Sequence, residues 1–293
     1  MVKTIRVGAL VAMAIASGCA SAQPAPKTSA EAPAAPTAPA ASADDAAIHA
    51  AVSAAHRSEQ NRARDVWRHP EQTLSFFGLR SDMTVLELWP GTGWYTEILA
   101  PMLAQRGKLI VTSVDPDGPQ DKPAFRFARQ LKERFEKSPE LFGKVQTARI
   151  DPPEHLDFGP EGSVDLVLTF RSVHDWVRDG YADKVFAAMF KVLKPGGVLG
   201  VVAHRGGPDA DPAVVGKTGY LSEAYVIGLA QKAGFTLAAR SDVNANPKDD
   251  HNHPEGVWTL PPTLRLGDKD KDKYVAVGES DRMTLRFTKP AAK

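Results

Sequence analysis

From Thr84 onward, short apolar runs alternate with longer segments in which apolar residues recur every three or four positions. Short apolar runs rich in β-branched residues read as buried strands, and the longer period reads as amphipathic helix. Strands are expected at Thr84 to Leu88, Lys108 to Val114, Val145 to Ile150, Val164 to Phe170, Val198 to His204, Phe235 to Val243 and Met283 to Phe287. The helix after the first strand carries Ile98, Leu99, Met102 and Leu103 on one face, and Pro101 inside it should kink it. A charged helix is expected around Phe125 to Phe135. Another has Val185, Phe186, Met189, Phe190 and Leu193 on one face and is closed by Lys194-Pro195-Gly196-Gly197. A last one, about Leu221 to Ala233, stops at Gly234. Strands alternating with helices predict an α/β fold, with a mostly parallel sheet covered by helices on both faces. The pattern is also helical from Asp44 through Trp67. A polar stretch, 244 to 281, separates the last two strands; a loop that long is usually functional or disordered.

The first 43 residues follow other rules. Lys3 and Arg6 precede the apolar run Val7 to Gly18, which is too short to span a bilayer and reads as a signal-peptide core. Two exits follow it. ASGC, ending at Cys19, resembles a bacterial lipobox whose cysteine becomes lipidated; Ala20-Ser21-Ala22 is an A-x-A site for ordinary signal peptidase. Both routes stay open. Residues 23–43 are an Ala/Pro-rich linker that cannot bury enough apolar area to order itself. The expected organisation is a signal peptide over 1–22, this linker, and one domain over 44–290. The protein is expected to be exported to the periplasm, and to sit on the outer membrane as a lipoprotein where Cys19 is modified. Cys19 is the only cysteine, so the domain carries no disulfide. A net charge of +1 without a basic tract argues against nucleic acid, and leaves the N-terminal lipid as the only expected membrane contact.

Chemistry enters with the ordered motifs. VLELWPGTG at Val85 to Gly93 places a glycine turn between a buried strand and a helix, where backbone N–H groups can approach a ligand. VDP at Val114 to Pro116 and RID at Arg149 to Asp151 put acids at the ends of strands two and three. SVDLVLTFRSVHDW is the fourth strand with its exit, and VLKPGG at Val192 to Gly197 is the turn before strand five. This set resembles the class I S-adenosylmethionine-dependent methyltransferases over roughly Pro70 to Pro290. WPGTGWYTEILAP, HRGG, AGF and LRFTKP resemble, more narrowly, a group of bacterial predicted methyltransferases. The resemblance implies a Rossmann-like, seven-stranded sheet whose last strand is antiparallel, and S-adenosyl-L-methionine as cofactor. It implies that Gly91, Thr92, Gly93 and Trp94 bind the cofactor, that Glu87 supports the turn and the cofactor's amino-acid end, that Asp115 takes the ribose hydroxyls and that Asp151 lies near the adenine. Trp89 stands where the family has its first glycine. It should narrow the groove, either stacking on the cofactor or packing as core.

Parallel α/β sheets bind ligands at the carboxyl ends of their strands. His174 and Asp175 follow strand four, and His204 and Arg205 follow strand five. His174 is the expected base or substrate orienter, and His204 with Arg205 the expected binders of a polar or anionic substrate. Trp94, Tyr95 and Trp176 either form an aromatic wall for a sulfonium or apolar substrate, or pack as core. DDHNHPEG, Asp249 to Gly256, reads as a solvated loop or substrate lid rather than a metal site. Gly91-x-Gly93 with Asp115 also fits a dinucleotide oxidoreductase, but Thr96 in the third glycine's place and the late VLKPGG turn disfavour it. The expected function is methyl transfer to a small-molecule or cell-envelope acceptor. The alternative is a non-catalytic exported binding protein on the same fold.

Overall fold

The computed structural model describes residues 43–291. The expected signal peptide and nearly all of the expected linker lie outside the described residues; the first helix, Ala43–Val52, begins one residue before the expected boundary. Seven strands form one sheet: β1 (Thr84–Leu88), β2 (Lys108–Ser113), β3 (Gln146–Arg149), β4 (Val164–Phe170), β5 (Leu193–His204), β6 (Thr236–Ser241) and β7 (Arg282–Thr288). Their order across the sheet is β3-β2-β1-β4-β5-β7-β6. The pairs from β3 to β5 are parallel, and β7 runs antiparallel to both of its neighbours. The expected architecture is present.

The central strands β1, β4 and β5 are largely apolar on both faces because helices cover both, whereas the edge strands β3 and β6 are largely exposed. Within β1, Val85, Leu86 and Leu88 are all buried. One core gathers Trp176, Phe186, Met189 and Phe287; the other gathers Leu74, Phe77, Ile98, Leu99 and Leu103. β5 begins earlier than its apolar run suggested. Leu193, expected on the preceding helix, instead pairs with Val164 across an irregularity in the ladder. The helix itself ends at Val192.

Pro101 lies inside the helix Thr96–Leu103. A proline cannot donate to the carbonyl four residues back. That carbonyl belongs to Glu97, and His56 Nε2 reaches it at 2.8 Å. The segment before β1 thus closes a gap in the helix that follows the glycine turn.

The 244–281 stretch is ordered around one carboxylate. Asp249 accepts hydrogen bonds from the Tyr220 hydroxyl at 2.9 and 2.8 Å, from the backbone N–H of His251 at 2.9 Å and from that of Asp281 at 2.7 Å. His253 Nε2 lies 2.8 Å from the same group. Asp249, Asp250 and His253 have metal-like proximity, yet the Asp249 lone pairs are occupied by protein donors. The carboxylate works as a staple for the loop. Among the described residues, no helix is long and apolar enough to cross a membrane.

Candidate active site

The turn after β1 is built by positive φ angles. Gly91 has φ +60° and Gly93 φ +83°. A side chain at Gly93 would press Leu131 Cδ1 at 3.0 Å, whereas at Gly91 it would meet nothing within 4 Å, so the chain there faces open space. Trp89 has φ 47°, the backbone conformation for which glycine is the usual choice. For a bulky residue that conformation costs on the order of 1–2 kcal/mol. Two contacts hold it: the Trp89 N–H donates to Thr112 Oγ1 at 2.8 Å, and its ring packs against Trp176 with centroids 5.0 Å apart.

Charge pins the turn from behind. Arg134 donates to the carbonyls of Thr92 and Gly93, each at 3.0 Å, and pairs with the buried Glu97. Glu97 also binds Arg57 at 3.0 Å and Asn61 at 2.9 Å. Glu87, near the end of β1, accepts from Thr96 Oγ1 at 2.7 Å through one oxygen. Burial pushes the Glu87 carboxyl up to about 7, against the opposing hydrogen bond from Thr96 and the charge of Arg134.

A cavity of about 440 Å³ lies beside this turn, within the range of roughly 300–1,000 Å³ usual for cofactor and small-ligand sites. Glu87, Trp89, Gly91 and Val114 line it from the β1 and β2 ends; Arg171, His174 and Asp175 from the β4 exit; His204 from the end of β5. The 244–281 loop supplies Val257, Trp258, Pro261 and Pro262. Arg64 and Arg68 come from the segment before β1.

The two histidines lie together in it, ring centroids 5.2 Å apart, with Trp258 5.7 Å from His174. Burial lowers the pKa of His174, although Asp175, 3.5 Å away, opposes this. His204 is lowered further, by burial and then by the charge of His174. Its Nδ1 lies 2.6 Å from Ser280 Oγ. Both rings are therefore neutral at neutral pH and able to accept a proton.

Residues 86–201 match a family model described as a methyltransferase domain. A SAM-dependent methyltransferase from Aquifex aeolicus superposes with a TM-score of 0.51 at 19% identity, over 78% of this chain and 93% of that one. The cyclase SpnF superposes with a TM-score of 0.53 at 16% identity, over 82% and 85%. No match is found among curated proteins. The chain has the Rossmann-like fold of these structures, and its residues 86–201 are similar to a methyltransferase domain.

Within this fold the expected site residues divide. Glu87, Trp89, Gly91, Thr92, Trp94, His174, Asp175 and His204 line the cavity. Gly93 lies behind the wall, set by its φ and by Leu131. Asp115 is not among the lining residues; its exposed carboxylate pairs with Arg149 at 2.9 Å and accepts from the Asp117 N–H at 3.1 Å, which hold its pKa below the ordinary value. Asp151 is exposed and bridges to His155. Arg205 does not face the cavity, contrary to expectation. It binds Asp281 at 2.8 Å and Asp242 at 2.8 Å, tying the end of β5 to the two ends of the segment between β6 and β7. Trp176 is fully buried core. Trp94 lines the cavity, but Arg57 and Arg68 already stand over its ring at 5.1 and 4.6 Å.

The lining suits the cofactor that the domain implies. Gly91 leaves open space beside the backbone, and Glu87 leaves one oxygen without a hydrogen bond among the described residues. An ammonium group there would give the buried carboxylate its missing counter-charge. Arg64, Arg68 and Arg171, with Glu279 and Ser280, were not anticipated as site residues. Arg171 alone had a local signal, being the first residue beyond β4.

Proposed function

We propose that this protein is an exported, S-adenosylmethionine-dependent methyltransferase acting on a small-molecule or cell-envelope acceptor. One observation carries the reading: a single cavity joins the glycine turn and Glu87 to two buried histidines with lowered pKa values. When bound, S-adenosylmethionine supplies an electrophilic methyl group on a sulfonium. Gly91, Thr92 and Trp89 would hold its amino-acid portion beside Glu87. His174 accepts the proton of the acceptor's nucleophile, with Asp175 orienting the ring. Trp258 and the two prolines after Leu260 keep water from the reacting groups.

A second reading is a non-catalytic binding protein on the same scaffold. Trp89 in the glycine's place favours it, because the ring fills part of the cradle. A likeness in fold does not fix the reaction, and one structural neighbour, SpnF, is a cyclase.

The readings separate in a transfer assay. Methyl-labelled S-adenosylmethionine is incubated with the full chain and with periplasmic and envelope extracts. Incorporation is expected to fall about 10²–10⁴-fold in His174→Gln, the range for loss of a general base, with cofactor affinity unchanged. The wild-type rate is expected to stay flat through neutral pH and to fall only below the ordinary histidine value of 6.5, because burial delays protonation. A protein that binds the cofactor, yet transfers no label to either extract, would favour the binding reading.

A further inference from the structure

Four guanidinium groups and one carboxylate meet beside the histidine pair. Arg64 and Arg68 precede β1, Arg171 follows β4, and Glu279 and Arg282 flank the start of β7. Glu279 is the common acceptor, taking Arg64 Nε at 2.7 Å, Arg68 Nε at 3.2 Å and Arg282 Nη1 at 2.9 Å. Burial alone would raise its pKa; the surrounding arginines pull it down to about 2. One carboxylate cannot balance four cations.

The imbalance is concentrated where the cavity is. Arg68 is 1% exposed, and its Nη1 and Nη2 have no hydrogen-bond partner among the described residues. Its guanidinium carbon lies 4.6 Å from the centre of the Trp94 ring, a contact that leaves those N–H groups without an acceptor. Arg171 makes no side-chain hydrogen bond or ion pair with any described residue, and its backbone holds φ 62°. Burial lowers its pKa to about 10. Nearby acids are engaged elsewhere: Asp175 by Arg178 at 2.7 Å, and Glu97 by Arg57 and Arg134. Unpaired buried cations are costly, and a guanidinium fork matches planar or tetrahedral oxyanions.

We propose that Arg68 and Arg171 seat a carboxylate or phosphate group of the molecule that is methylated, which makes the acceptor a small anion or an anionic headgroup. The inference rests on the methyl-transfer reading for the ligand's role, and on the cavity alone for the seat. Arg171 lies three residues before His174 on the same exit of β4. An acceptor anchored there by its anionic end brings its nucleophile to the proton-accepting ring.

The competing source of an oxyanion is the cofactor's own carboxylate, and competition tells them apart. Inorganic phosphate and, separately, acetate are titrated into the full chain with and without saturating S-adenosylhomocysteine. Saturable binding of at least one anion is expected in both states. It should weaken at least about tenfold in Arg171→Met, as loss of one charge-assisted contact implies, less in Arg171→Lys, and not at all in the surface variant Lys232→Met. Cofactor-product affinity should be unchanged in all three. Thermal melting checks that Arg171→Met folds, which its lack of protein partners favours. Displacement of the anion by S-adenosylhomocysteine would overturn the proposal and assign the arginines to the cofactor. No saturable binding, or binding indifferent to Arg171→Met, would overturn it as well. Anion binding by a folded protein that ignores S-adenosylhomocysteine would keep the seat and overturn the methyl-transfer reading instead.

Discussion

Trp89 and Glu87 are two residues whose chemistry the fold changes. Trp89 adopts a glycine's backbone conformation and is held in it by Trp176 and Thr112. The departure from the glycine motif was legible in the sequence; that it preserves the turn's conformation was not, because the compensating partners lie 23 and 87 positions away. Glu87 titrates at about 7 in the fold against 4.5 when unperturbed. Between those values the folded protein keeps a proton that the unfolded chain has released, so stability falls as pH rises from about 4.5 to about 7. A shift of that size corresponds to roughly 3 kcal/mol. Glu87→Gln should flatten this decline, as read from urea unfolding at about pH 5 and about pH 8. An unchanged slope in the variant would mean that another group carries it.

At the scale of elements, the loop between β6 and β7 is the informative case. Its length and polarity marked it as functional or disordered, and DDHNHPEG offered no period from which order could be read. Order comes from Asp249, whose donors lie on Tyr220, His251, His253 and Asp281. Removing the carboxylate leaves a buried hydroxyl and two backbone N–H groups without their acceptor, each costing about 1–3 kcal/mol. Asp249→Ala is therefore expected to lose at least about 2 kcal/mol in urea unfolding. Hydrogen exchange should show lost protection across 249–281, reaching the Trp258 wall of the cavity. Protection equal to wild type would show that the loop is held by other contacts. Arg205 teaches the complementary lesson: its position after β5 suggested a ligand contact, but Asp242 and Asp281 capture its fork.

Across the whole molecule, topology does what local pattern cannot. The strand sequence and the glycine turn were legible because burial on both faces imposes continuous apolar runs and because the turn needs its glycines. The arginine cluster was not, since Arg68, Arg171 and Glu279 approach only when β1, β4 and β7 are placed in one sheet. The same placement brings the cofactor cradle and the histidines to a single cavity, and the central claim is that this cavity is a cofactor site. Isothermal titration of S-adenosylmethionine and S-adenosylhomocysteine into the full chain tests it most directly, with Glu87→Gln, which removes the carboxylate facing the cofactor's ammonium group, as the comparison. Saturable binding in the micromolar range is predicted, weakened about tenfold or more in the variant, as loss of a hydrogen bond to a charged group implies. No heat of binding from folded protein with either compound would contradict the claim.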